Sequence, residues 1–236
     1  MFHSLFDFDK PFWKWIGRIP DLFLLSLCWY LCCLPVITIL PASCALFDAV
    51  SRNLLRDEKG CYRRFFRTFW RELKQGIPLT LIWLAVGAIA FFGDGILSAN
   101  SQDAFSSAFS IVYRVMSFMM LGYLAWLVPL QSRYNNTIGT LHINSFRFFL
   151  GRLPTTGLLL LYTALVLLVC FFNSFTLILL LIAPCLIAVL HTRPVEKSFA
   201  KVFPQDYEDG IAVFSEEERE AIRAIARARE EENSQD

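Results

Sequence analysis

The sequence predicts an all-α, polytopic transmembrane helical bundle, and three observations carry that prediction. Long stretches run without charge, their lengths match a bilayer, and basic residues gather in alternate connections. Five stretches qualify: 19–40, 77–92, 111–130, 155–172 and 174–190. About 20 residues at a rise of 1.5 Å cross a hydrocarbon core. A buried helix of a soluble protein shows a polar stripe every third or fourth residue, and these stretches show none. Composition agrees, with 56% apolar and 18% charged residues, against about 45–50% and about 25% in soluble domains. The 23 phenylalanines suit lipid-facing surfaces and aromatic belts. One transmembrane domain over 1–200 and a polar cytoplasmic tail over 201–236 account for the 236 residues.

The first stretch runs from Ile19 to Leu40. Asp7, Asp9 and two tryptophans stand where a secretory signal has its short basic start, and no small-residue cleavage site follows. The stretch is therefore expected to remain in the mature chain. Pro35 and Pro41 leave a second arrangement open, in which 12–34 and 36–50 form a hairpin that dips into the bilayer and returns. Proline removes a donor and clashes with the preceding turn, so a break at LPVITILP has a cause.

Charge sets the expected orientation. The 41–76 connection holds Arg52, Arg56, Lys59, Arg63, Arg64, Arg67, Arg71 and Lys74. The 93–110 connection holds Asp94 and Asp103 and no basic residue, whereas 131–154 carries Arg133, Arg147 and Arg152 without an acid. The next connection is a turn at Asn173, after which Arg193, Lys197 and Lys201 follow the last span. Basic loops stay cytoplasmic and acids count for little. Five spans in the plasma membrane then put the N-terminus outside and the C-terminus inside. Lys10, Lys14 and Arg18 pull the other way and keep the hairpin open.

The 61–78 segment, CYRRFFRTFWRELKQGIP, reads as a basic amphipathic helix near 62–75 lying in the interface. Tyr62, Phe66, Phe69, Trp70 and Leu73 share one face, with Arg63, Arg67, Arg71 and Lys74 opposite. Anionic lipid attracts each such cation by ~1 kcal/mol. Arg63, Arg64, Arg67, Trp70, Arg71 and Lys74 are the candidate lipid or partner contacts. The helix either anchors the second span or docks a cytoplasmic or membrane partner; nucleic acid is not an expected partner. A shorter echo, SFRFFLGRLPTTG, precedes the fourth span and raises a parallel repeat as a hypothesis.

Catalytic chemistry is not expected. Cys28, Cys32 and Cys33 lie close together, but no histidine or carboxylate near them in sequence completes a metal site. Seven cysteines, an odd number, also argue against a disulfide framework. His3, His142 and His191 are isolated, and no HExxH, GxSxG or Walker-type loop occurs. No cofactor is expected. Asp48 and Arg52, at i and i+4, read as a surface pair. A solute path would have to be built from Ser117, Tyr123, Tyr162, Thr163, Asn173 and Thr176. In the tail, Ser215 and Glu218 make a capping box opening a short charged helix.

Several of these runs resemble the YesL-like family of bacterial membrane proteins. They are Pro20-Asp21-Leu22 through Leu34-Pro35-Val36-Ile37-Thr38, the small-residue stretch Pro41-Ala42-Ser43-Cys44-Ala45-Leu46, Arg56-Asp57-Glu58-Lys59-Gly60, and Arg64-Phe65-Phe66-Arg67-Thr68-Phe69. The resemblance covers about residues 15–80, with Leu40-Pro41 where that family usually has a glycine. It implies an integral membrane protein of Gram-positive bacteria, often encoded beside carbohydrate-uptake genes, and transfers no catalytic or binding residue. A non-enzymatic accessory of carbohydrate uptake, in contact with a transporter subunit, is the expected function. A permease for a small uncharged solute is the alternative.

Overall fold

The computed structural model describes residues 11–56, 60–99, 104–134, 137–172, 176–204, 207–208 and 211–212. The capping box at Ser215 lies outside them, as does Asn173. Seven α-helices occur among the described residues: α1 Pro11–Cys33, α2 Ile39–Arg56, α3 Cys61–Ala99, α4 Ala104–Arg133, α5 Ile138–Gly151, α6 Leu153–Phe172 and α7 Thr176–Val202. A 3-10 turn, Val36–Thr38, joins α1 to α2. Two short strands, β1 Tyr207–Glu208 and β2 Ile211–Ala212, pair antiparallel after α7.

Four segments are long and apolar enough to cross a membrane: Cys61–Gly93, Phe109–Arg133, Leu153–Cys170 and Leu179–Val202. A shorter apolar helix, Pro20–Cys33, precedes them. Their outer surfaces bear the residues that water would exclude, among them Ile89, Phe91, Phe92, Met116, Phe118 and Leu161, all well exposed. An exposed apolar belt of this kind belongs against lipid tails.

The first expected span is not one helix. The structure breaks 19–40 after Cys33, at Leu34-Pro35, and restarts it as α2. Thr38 closes the break by donating its hydroxyl to the carbonyls of Cys32 and Pro35. The Cys32 carbonyl is one of the acceptors that a terminating helix leaves unpaired. The chain then turns inward rather than out into a loop. From Leu40 to Asn53 every residue except Ser43 is buried, and α2 packs against α1, α3, α4 and α7. The small residues Ala42, Ser43, Cys44 and Ala45 let those neighbours approach.

The amphipathic stretch 62–75 is helical, as expected, but it does not lie apart from the following span. Both belong to α3, a single helix of 39 residues. At 1.5 Å per residue α3 is about 58 Å long, nearly twice the roughly 30 Å of a hydrocarbon core. Its first half is held by α2, which runs beside it. Gly76 makes this possible, since a Cβ there would meet the Pro41 ring at 2.6 Å. Gly60, at φ +84°, provides the left-handed residue that starts α3.

The main core lies among α2, α3, α4, α5, α6 and α7 around Trp126, with Leu79, Leu127, Leu130, Leu159, Val195 and Phe199 fully buried. Trp126 donates to Thr156 Oγ1 at 2.8 Å, satisfying its one polar atom. Phe148 of α5 meets Phe199 of α7 edge to face.

Candidate functional site

The buried face of the first half of α3 is Cys61, Phe65, Thr68, Phe69 and Glu72. The sequence set Tyr62, Phe66, Phe69, Trp70 and Leu73 together on one interfacial face; the structure separates them and turns Phe69 into the bundle. Tyr62, Phe66 and Trp70 instead form an exposed row at i, i+4 and i+8, and Trp70 is 69% exposed. Arg63, Arg67 and Lys74 are exposed on the same half of α3. An aromatic row with cations beside it therefore faces outward, carried on a rigid helix.

What holds α3 in this register is Asp48, which is only 4% exposed. Its Oδ1 takes a hydrogen bond from Arg52 Nε at 3.1 Å. Its Oδ2 accepts from Arg64 Nε at 3.0 Å and Thr68 Oγ1 at 2.6 Å. Burial alone would raise the Asp48 carboxyl, but Arg52, Thr68 and Arg64 together hold it below the usual carboxylate range. Asp48 and Arg52 are thus not the surface pair the i,i+4 spacing implied. They are the centre of a buried cluster joining α2 to α3. Nearby, Asn53 Nδ2 donates to Cys61 Sγ at 2.9 Å.

Two further acids repeat the device. Glu72, also buried, takes Arg71 Nε at 2.9 Å and Gln131 Nε2 at 3.3 Å, and Arg71 donates to the Ser132 carbonyl at 3.2 Å. These contacts tie α3 to the end of α4. Arg133 reaches both carboxylate oxygens of Glu196 at 2.8 and 2.7 Å and lies over the Phe199 ring, tying α4 to α7. Arg52, Arg64 and Glu72, then Gln131 to Arg133, and Glu196 consequently bring the described parts of the basic connections together at one end of the bundle. The candidate contact residues fall into two groups. Arg64 and Arg71 are committed to this network; Arg63, Arg67, Trp70 and Lys74 line the outer face.

Polar residues weighed as a solute path do not converge. Tyr123 pairs with His142 of α5, Thr163 with His191, and Ser117 with the Tyr113 carbonyl. Tyr162 faces a separate cavity. A central cavity of about 360 Å³ does lie between α1, α2, α4, α6 and α7, next to Trp29, Tyr30, Ser43, Phe47, Pro184 and His191. Its wall is mostly hydrocarbon. Trp29 Nε1 donates to Ser43 Oγ at 3.2 Å and Tyr30 donates to the Leu180 carbonyl at 2.6 Å, so these polar groups satisfy one another.

Residues 22–93, which span the end of α1, all of α2 and most of α3, are where similarity to other proteins lies. Over them the chain matches the family described as "Protein of unknown function, DUF624". The match includes the break at Pro35, the buried helix α2, Asp48 and all six candidate contact residues. It does not itself carry the YesL-like assignment. No curated protein and no solved structure matches the chain.

Proposed function

We propose that this protein is a non-enzymatic membrane accessory, whose α3 presents an aromatic and basic face to a subunit of a carbohydrate transporter. The observation that carries the reading is the pairing of a rigid support with an unsatisfied surface. Arg64–Asp48 ties the first half of α3 to α2, Gln131 and the Ser132 carbonyl tie it to α4 through Glu72 and Arg71, and Arg133–Glu196 ties α4 to α7. The same half leaves Tyr62, Phe66 and Trp70 exposed. Aromatic residues with arginine are the residue types that dominate docking surfaces. The carbohydrate system is named by the family resemblance over residues 15–80, and the transporter subunit follows from it. Orientation with this end in the cytoplasm follows from its arginines and lysines.

A photo-crosslinking residue at position 67, introduced in cells and activated in intact membranes, tests the reading. It is expected to capture a subunit of a carbohydrate transporter, and Trp70→Ala should reduce that capture severalfold. Recovery of lipid adducts alone would overturn it.

A further inference from the structure

At the same end of the bundle, between α6 and α7, lies a cavity of about 560 Å³ that the α3 surface does not use. Four cations line it: Arg152, Arg193, Lys197 and Lys201. None of its lining residues is acidic. Arg193, Lys197 and Lys201 follow one another at i, i+4 and i+8 along α7, a like-charge row that costs the helix stability. The acid on the same helix, Glu196, points elsewhere, because it is buried against Arg133 on the other side of α7. Arg152 approaches from the turn that opens α6, so two helices contribute charge to one concavity. Leu158, Val189 and Leu190 supply an apolar wall one to two turns deeper into the spans. Charge at the rim above hydrocarbon is the profile of an amphiphile rather than of a freely soluble anion.

We infer that this cavity binds the phosphate headgroup of an anionic phospholipid, with its acyl chains along the apolar wall. The inference goes beyond the proposed docking role and depends only on the chain residing in a membrane. The phosphate would neutralise the α7 row and bridge it to Arg152, linking the last two spans through lipid. Basic pockets between transmembrane helices take anionic headgroups in this way.

Native mass spectrometry of the full chain, released from mild detergent with phosphatidylglycerol or phosphatidylcholine, tests it. Phosphatidylglycerol adducts should persist to higher collision energy than phosphatidylcholine adducts. Replacing Arg193, Lys197 and Lys201 together by Gln should weaken phosphatidylglycerol binding about tenfold or more, given ~1 kcal/mol for each cation near an anionic lipid. Lys197→Glu alone should act in the same direction. Removing equal charge from α3, with Arg63, Arg67 and Lys74 replaced by Gln, should weaken it far less. Equal loss in both triple variants would reduce the effect to general surface charge and overturn the inference. So would displacement by glycerol phosphate at a concentration equal to that of the lipid, which would assign the cavity to a soluble phosphate ester.

Discussion

Asp48→Asn is the perturbation that tests most directly how α3 is held. The substitution keeps the shape of the side chain and removes its charge. It removes the Asp48 charge from beside Arg52, 8% exposed in its side chain, and from beside Arg64, whose side chain is 26% exposed. Removing one partner of a buried ion pair costs about 3–5 kcal/mol. Arg64 can turn partly to water, so the lower end applies, about 3 kcal/mol. For a chain of this length each kcal/mol moves the midpoint by roughly 2–4 °C, so a fall of about 6–12 °C is expected. Thermal unfolding in detergent, followed by tryptophan fluorescence, measures it. A double-mutant cycle with Arg64→Gln should return a coupling above about 1 kcal/mol. The pH dependence has a definite sign. The folded Asp48 carboxyl lies below its unfolded value, about 3.9. Its contribution is complete above that value and is lost as pH falls through the lower folded one. The acid limb should therefore be shallower in Asp48→Asn than in the parent. A midpoint within 1 °C of the parent's, or additive effects in the cycle, would refute the argument that Asp48 fixes the register of α3.

Other expectations follow from the same contacts. Glu196→Gln should lower the midpoint by several degrees, because Arg133 loses both of its carboxylate contacts. Gly76→Ala should cost about 1–3 kcal/mol through collision with the Pro41 ring, with part of the loss recovered by Pro41→Ala, as read by the same melts. Trp70→Ala and Arg67→Gln should each change stability by less than about 0.5 kcal/mol while reducing capture at position 67, since both side chains face outward. Burial lowers the His142 imidazole, so the fold loses stability as pH drops below about 6.5, and His142→Gln should flatten that slope in pH-dependent melts.

The four later spans were legible because hydrocarbon demands an unbroken apolar run, and no other solvent produces one. Helix α2 was legible only as the 36–50 half of the alternative hairpin broken at Pro35, although it is the most enclosed element of the bundle. Asp48, Ser51, Arg52 and Asn53 depress its hydropathy, and a single sequence gives no sign that Asp48 and Asn53 meet partners on α3. The spacing of Asp48 and Arg52 was visible, but not the depth at which the pair lies. For α3, the aromatic residues were grouped on one interfacial face and the basic residues on the opposite one, the usual ordering at a membrane surface. Burial of Asp48 reverses part of it. Thr68 and Arg64 are drawn in, the helix turns, and Tyr62, Phe66 and Trp70 are left outside. One signal in the sequence could have shown this: Phe65, Thr68, Phe69 and Glu72 keep helical spacing with Cys61, and Glu72 is the lone acid among the basic residues of 61–78.

The acids also explain why a net charge of +1 misrepresents this end of the molecule. Asp48, Glu72 and Glu196 are buried and paired with arginine. Each acid is itself shielded from solvent and cancels charge on the arginine beside it. Arg63, Arg67, Lys74, Arg147, Arg193, Lys197 and Lys201 remain on the outside. Among the described residues at this end, negative charge is therefore held within the bundle and positive charge stands on its surface. The inner acids set where the helices stand, and the outer cations are left to meet whatever anionic surface or partner lies beyond. A substitution at one of the three acids should act on both properties, loosening a helix joint and altering the outward charge that the joint supports. A substitution among the outer cations should alter binding alone, and this asymmetry separates structural residues from interacting ones within a single short stretch of α3.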